Sequence, residues 1–117
     1  MNKLVKILKS LSDETRLRML NMLFERECCV CEMIQVLGIS QPRVSHHLST
    51  MLNAGLLTLR HRGLFSLYSI DWANLDGYAG DLVKAVHKGL EDNKVAEADL
   101  KKLSTVQRIP PECIQTA

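Results

Sequence analysis

The stretch SQPRVSHHLSTMLNAG, residues 40–55, has the pattern of an amphipathic helix with a defined beginning and end. Ser40 can cap the helix N-terminus with its hydroxyl, Pro42 is tolerated in the first turn, and Gly55 can end the helix in a left-handed conformation. The apolar residues at helical spacing are Val44, Leu48, Met51 and Leu52. We therefore predict a helix here with a buried apolar face and a polar outer face.

The segment before this helix predicts a second, shorter helix that is joined to it by a tight turn. This helix should follow the cysteine cluster and run to about Leu37, with Gly38 as its C-terminal stop. Two helices joined in this way form the helix-turn-helix pattern, whose second helix enters the major groove of double-stranded DNA. The predicted DNA contacts on that second helix are Ser40, Gln41, Arg43, Ser45, His46 and His47.

Hydrophobic residues alternate with polar ones in residues 56–71, LLTLRHRGLFSLYSID, as they do in a β-hairpin. Arg62-Gly63 lies at the expected tip. A hairpin directly after a recognition helix is a wing, and Arg60 and Arg62 are predicted to reach phosphates or the minor groove. The sequence thus predicts a mainly α fold with one β-hairpin, a winged helix-turn-helix.

The distribution of charge supports a nucleic-acid partner. The net charge of +2 says little, but no Asp or Glu occurs between Met33 and Ile70, while Arg43, Arg60 and Arg62 do. Such a segment can face phosphate without repulsion between like charges. The alternative interpretation is a neutral core segment that happens to lack acids.

A chain of 117 residues has the size of one domain. Apolar spacing predicts helices over residues 3–11, from an N-cap at Ser12 to about Glu25, and from about Asp76 to Glu91. The first and last of these have apolar faces without an obvious partner, so we predict a homodimer that pairs through them and fits a palindromic operator. Residues 1–92 form the predicted DNA-binding and dimerisation domain, and residues 93–117 a C-terminal tail with a partly helical segment.

The four cysteines are the second informative feature. No apolar run is long enough to span a bilayer and the N-terminus has no signal-peptide core, so we predict a cytoplasmic protein without a membrane partner. A disulfide framework is not expected in that reducing compartment. Small buried hydrophobes, metal ligands and redox centres remain as explanations. An enzyme is not predicted, because no local acid or histidine is placed to activate a thiol.

In combination, four segments resemble the ArsR/SmtB family of metal- and metalloid-sensing repressors. They are LSDETRLRML, CVCEM, ISQPRVSHHLSTMLNAGLL and RHRGLFSLYSI, and the resemblance covers roughly residues 4–72. It implies a dimeric winged-helix repressor that needs no cofactor to bind its operator and releases the operator when an inducer binds.

Within this family, the segment ECCVCEM is similar to the arsenic-responsive branch, where a Cys-x-Cys pair begins the helix before the recognition helix. The similarity implies Cys29 and Cys31 as ligands and As(III) or Sb(III) as the inducer. A third cysteine often follows three residues later in that branch, but this chain has Ile34 there. The third thiolate stays open between Cys28 and Cys113.

Helix geometry creates a difficulty for this ligand pair. An α-helix advances about 100° per residue, so Cys29 and Cys31 would point to nearly opposite sides of a regular turn, whereas Cys28 and Cys31 would share a face. We therefore expect Cys29 and Cys31 to hold one ion only if the turn unwinds, which would couple ion binding to DNA affinity. The alternatives are packed apolar cysteines and a redox or sulfide sensor that uses a pair such as Cys31 and Cys113.

Overall fold

The computed structural model describes residues 1–109, which form six helices and one three-stranded antiparallel sheet. In chain order the elements are α1 (Asn2–Leu11), α2 (Glu14–Glu25), β1 (Cys28–Cys29), α3 (Val30–Leu37), α4 (Gln41–Asn53), β2 (Leu57–Arg62), β3 (Phe65–Ile70), α5 (Gly77–Gly89) and α6 (Lys94–Leu103). The predicted helix-turn-helix is confirmed as α3 and α4, and the predicted wing as β2 and β3.

The turn between α3 and α4 has the predicted chemistry. Gly38 ends α3 with a positive φ of 67°, a left-handed conformation that costs a residue with a Cβ more than it costs glycine. Ser40 then caps α4 by accepting a hydrogen bond from the amide of Arg43. Val44, Leu48 and Met51 are buried against the core, so the outer face of α4 stays polar.

The start of α2 differs from the prediction by one residue. Asp13 is the N-cap, because its carboxylate accepts a hydrogen bond from the amide of Arg16 at 3.0 Å. Ser12 instead follows the last residue of α1. Both residue types are good N-caps, and sequence spacing does not distinguish between neighbours.

The strand β1 was not predicted, and it extends the wing into a sheet of order β1-β3-β2. It pairs antiparallel with β3, with Cys28 opposite Tyr68 and Cys29 opposite Leu67. Two residues are too few to show a period of two. The consequence is that two of the cysteines, Cys28 and Cys29, pair directly with a strand of the wing.

Helix α6, in the predicted tail, packs against α2 and α3. The guanidinium of Arg18 donates two hydrogen bonds to the carboxylate of Asp99, at 2.8 and 2.9 Å, and the Asn21 amide donates to the carbonyl of Ala96. The predicted boundary after residue 92 is therefore not a break in packing, and the described part of the tail continues the domain. No helix within residues 1–109 is long and apolar enough to cross a membrane.

We predict that Arg18→Met destabilises the protein, because it leaves the carboxylate of Asp99, whose side chain is 4% exposed, buried without its partner. The expected loss is about 2 kcal/mol, below the roughly 3–5 kcal/mol of a fully buried pair, because Arg18 is itself partly exposed to solvent. Urea unfolding at one fixed protomer concentration measures it. Lys101→Met on the exposed face of α6 is the control, and equal stability of the two variants would contradict the assignment.

Candidate functional site

The sulfurs of Cys29 and Cys31 meet and form a disulfide, with the two Cα atoms 5.5 Å apart. Cys29 is not part of the helix: it is the N-cap of α3, with an extended backbone at φ −97° and ψ 167°. The rule of 100° per residue therefore does not apply between them. Our expectation that the turn must unwind before the two sulfurs can cooperate is wrong, because the junction of strand and helix already brings them together.

Cys28 lies apart from this pair. Successive residues of a strand point to opposite faces, and Cys28 is fully buried in the main core, whereas Cys29 and Cys31 form a second cluster with Leu67. Burial raises the pKa of the Cys28 thiol to about 12, and its Sγ–H donates to the carbonyl of Arg26. The expected shared face of Cys28 and Cys31 does not form, since Cys28 belongs to β1.

Cys113, the other candidate for a third ligand, lies outside the described residues. Within residues 1–109, no group of three or more His, Cys, Asp or Glu side chains is arranged to hold a metal ion. In this part of the chain, the thiol pair is the feature best suited to a soft ion, because thiolates are the ligands that such ions prefer.

Glu32 fixes the backbone at the pair. Its side chain is 3% exposed, and its carboxylate accepts hydrogen bonds from the amide of Cys29 at 2.9 Å and from the guanidinium of Arg108 at 3.0 Å. Arg26 forms a further ion pair with it at 2.7 Å. Burial disfavours the charged carboxylate, but these hydrogen bonds outweigh burial and hold the pKa of Glu32 below its usual range. Glu32 was not among the predicted site residues, although Glu at the third position of a helix is one half of a capping box.

A cavity of about 120 Å³ opens beside the sulfurs, and we call it the thiol pocket. The elements that line it are the thiol pair, the start of α4, the wing and the C-terminal segment. Its residues are Cys29, Val30, Cys31, Gln41, Leu64, Phe65, Ser66 and Ile109. A ligand of the thiols would therefore touch the first residue of the recognition helix and the tip of the wing.

The recognition helix presents most of its predicted contacts to solvent. Arg43 and His46 are exposed, and Gln41 and Ser45 are partly exposed. Ser40 is exposed as well, although its hydroxyl is used as the cap of α4. This surface contains no acidic side chain.

His47 points inward, unlike the other predicted contacts. Its side chain is 12% exposed, and its Nδ1 lies 3.1 Å from the guanidinium of Arg16. Burial disfavours the charged imidazole and lowers the pKa of His47, in spite of the nearby carboxylate of Asp13. The structure therefore uses His47 to join α4 to the preceding helices.

The two arginines of the wing differ in their environment. The guanidinium of Arg60 donates to both oxygens of the Glu27 carboxylate, at 2.7 and 2.6 Å, and Ser69 donates to the same group. Arg62 is exposed, and within residues 1–109 its side chain makes no hydrogen bond or ion pair. Arg62 is thus available for phosphate, whereas Arg60 is already paired.

Comparison with known proteins agrees with this architecture. Residues 13–58 match the model of the family described as bacterial regulatory protein, arsR family. The chain is 39% identical over 70 residues to the arsenical resistance operon repressor of Staphylococcus aureus, covering 60% of this chain and 67% of the relative. It is 35% identical over 104 residues to the probable mercury resistance operon repressor of Streptomyces lividans, covering 89% of this chain and 75% of that protein.

A solved structure shows the same fold. Reduced HlyU from Vibrio cholerae superposes with a TM-score of 0.66 at 26% identity, over 78% of this chain and 92% of that one. Both curated relatives are operon repressors, and the one from Streptomyces aligns well beyond the helix-turn-helix. This chain belongs to the arsR family of bacterial regulatory proteins.

Proposed function

We propose that this repressor binds a palindromic operator and releases it when a thiophilic inducer, As(III) or Sb(III), is bound by Cys29 and Cys31. One observation carries the proposal: the two sulfurs meet in a pocket that the recognition helix and the wing both line. The relative from Staphylococcus aureus, an arsenical resistance operon repressor, supports the choice of arsenic.

The thiol pair suits a soft trivalent ion. Two sulfurs that can form a disulfide can, after reduction, approach one ion together without a change in the course of the chain. Thiolates select soft ions over hard ones, so oxygen-preferring cations compete weakly. As third thiolate we propose Cys113 in preference to Cys28, because Cys28 faces the core and its raised pKa keeps it protonated.

Release follows from the position of the pocket. An ion that links the two sulfurs lies in a pocket that Gln41 of α4 and Phe65 of the wing also line. We infer that the ion binds more tightly at a different spacing of α4 and the wing, and therefore shifts the molecule toward that spacing. Operator binding needs both elements in register with successive parts of one duplex. A ligand that prefers the altered spacing lowers the affinity of the protein for DNA. Because the coupling is reciprocal, bound DNA lowers the affinity of the protein for the ligand by the same factor.

The operator-binding surface that we propose needs no cofactor. Its residues on α4 and the preceding turn are Ser40, Gln41, Arg43, Ser45 and His46. Arg62 adds a phosphate contact from the wing, and Arg60 is a weaker candidate because Glu27 holds it. His47 supports this surface from behind.

We propose that two copies pair through α1 and α5. Leu8 on α1 and Tyr78 on α5 are 46% and 49% exposed, which is high for large hydrophobic side chains. One shallow and mostly apolar hollow between these helices is lined by Leu4, Tyr78, Asp81 and Leu82. A two-fold pairing that covers this face would present two recognition helices to the two halves of a palindrome.

A redox-responsive repressor is the second candidate, and the disulfide between Cys29 and Cys31 favours it. In this case two thiols lose two electrons and two protons to a peroxide or a polysulfide, and the bond between their sulfurs replaces two S–H bonds. The pair differs from our first expectation, which joined Cys31 to Cys113.

We predict that arsenite releases the reduced wild-type protein from its operator and that Cys29→Ser and Cys31→Ser each raise the half-maximal arsenite concentration at least about tenfold. The physical reason is the loss of one of the thiolates that hold the ion. Fluorescence anisotropy measures release, on an operator selected from random duplexes. Cys113→Ser should show a similar loss, and Cys28→Ser, which faces the core, is the matched control. Zinc is titrated in parallel. Release by peroxide or polysulfide but not by arsenite would establish the redox alternative instead.

We predict that Arg62→Ala weakens binding to all duplexes and makes the slope of log K against log salt less negative by about 0.9, the effect of one lost phosphate contact. Affinities at several salt concentrations give this slope. Arg60→Ala should change it less, because Glu27 already neutralises that guanidinium. An unaltered slope for Arg62→Ala would remove the wing tip from the DNA contacts.

A further inference from the structure

The last described residue, Ile109, closes one side of the thiol pocket. It is partly buried and packs against the cluster of Cys29, Cys31 and Leu67. It reaches the pocket from the segment after α6, which is distant from the cysteines in the sequence. The chain therefore places an aliphatic wall beside the two sulfurs that the helix-turn-helix itself does not supply.

Three kinds of contact hold the segment of residues 106–109, which we call the strap. Val106 packs against the main core, and the carbonyl of Gln107 accepts a hydrogen bond from the side-chain amide of Gln35 at 2.8 Å. The guanidinium of Arg108 pairs with the buried carboxylate of Glu32 at 3.0 Å and donates to a backbone carbonyl. A buried carboxylate strongly favours keeping such a partner. The strap is thus fixed immediately before Ile109.

We propose that Ile109 is a specificity-determining residue of the thiol pocket, positioned by Arg108, and that it restricts the pocket to small inorganic thiophilic ligands. The proposal rests on the function proposed above. It adds the size class of the inducer and a residue that lies outside the family's helix-turn-helix.

The size of the pocket supports this selection. Its volume is about 120 Å³, and part of that space adjoins the sulfurs themselves. For comparison, a closed apolar cavity of about 150 Å³ is large enough to hold a benzene molecule. An arsenic atom that is bound only to thiolates needs far less room than one that also carries an aryl group. We infer that an aryl arsenical must displace Ile109, and with it the strap, before both thiols can bind it.

Displacement of the strap lowers apparent affinity by the fraction of molecules in which the strap is open. Arg108 sets this fraction through its pair with Glu32. Loss of the Ile109 side chain or of the Arg108 guanidinium should therefore raise the apparent affinity for bulky ligands more than the apparent affinity for small ones. If the strap had only a structural role, the same substitutions would change the apparent affinities for bulky and for small ligands by the same factor.

The test compares operator release by arsenite and by phenylarsine oxide for the reduced wild type, Ile109→Ala and Arg108→Gln. The readout is the ratio of the half-maximal concentrations, phenylarsine oxide over arsenite. We expect both variants to lower this ratio at least about fivefold. Lys102→Gln is the matched control, because it removes an exposed positive charge shortly before the strap but leaves Ile109 and the partners of Glu32 in place, and it should keep the wild-type ratio.

A ratio that is the same in wild type, Ile109→Ala and Arg108→Gln would overturn the proposal. If neither arsenical releases the wild type, the proposed inducer fails, and the size selection is then decided by thiol modification. In that measurement iodoacetamide is the small reagent and 5,5′-dithiobis(2-nitrobenzoate) the bulky one. If thiol modification by the bulky reagent speeds up more than modification by the small reagent in both variants, the result supports size selection by Ile109. Equal increases for the two reagents would refute it.

Discussion

The buried carboxylate of Glu32 is the interaction on which the rest of the site depends. A charge in that position must be compensated, and three elements supply the compensation: the amide of Cys29, the guanidinium of Arg26 after α2, and Arg108 from the C-terminal segment. These partners fix where α3 begins. They also keep Cys29 in an extended conformation, and this is why its sulfur meets that of Cys31.

The two-residue strand β1 links this site to DNA binding. Because Cys29 pairs with Leu67 of β3, one cysteine of the proposed inducer site belongs to the same sheet as the wing. The other end of α3 leads through Gly38 directly to the recognition helix. The thiol pocket is thus in direct contact with both the recognition helix and the wing, so the release that we propose requires no long pathway between distant sites.

The charged side chains around this site fall into two groups, those that pair with each other and those that stay exposed. Glu27 and Glu32, the acids on either side of β1, are each held by arginines, so they do not oppose phosphate as free charges. Arg62 remains exposed at the tip of the wing. The arginines that pair with Glu27 and Glu32 stabilise the fold, whereas the exposed Arg62 is available to a ligand. Amino-acid composition alone does not distinguish these two groups.

Local patterns in the sequence determined the helix-turn-helix, the hairpin and the outer face of α4, since caps, glycines and apolar spacing act over a few residues. Sequence also identified Cys29 and Cys31, but through resemblance, and it gave the wrong geometry for them because a strand of two residues leaves no periodic signal. Only the tertiary structure decided that Cys28 faces the core and that Ile109 lies against the thiols. It also decided that the side chains of His47 and Arg60 already have hydrogen-bond partners within the chain. Each of these depends on contacts between residues far apart in the chain, whose partners spacing cannot specify.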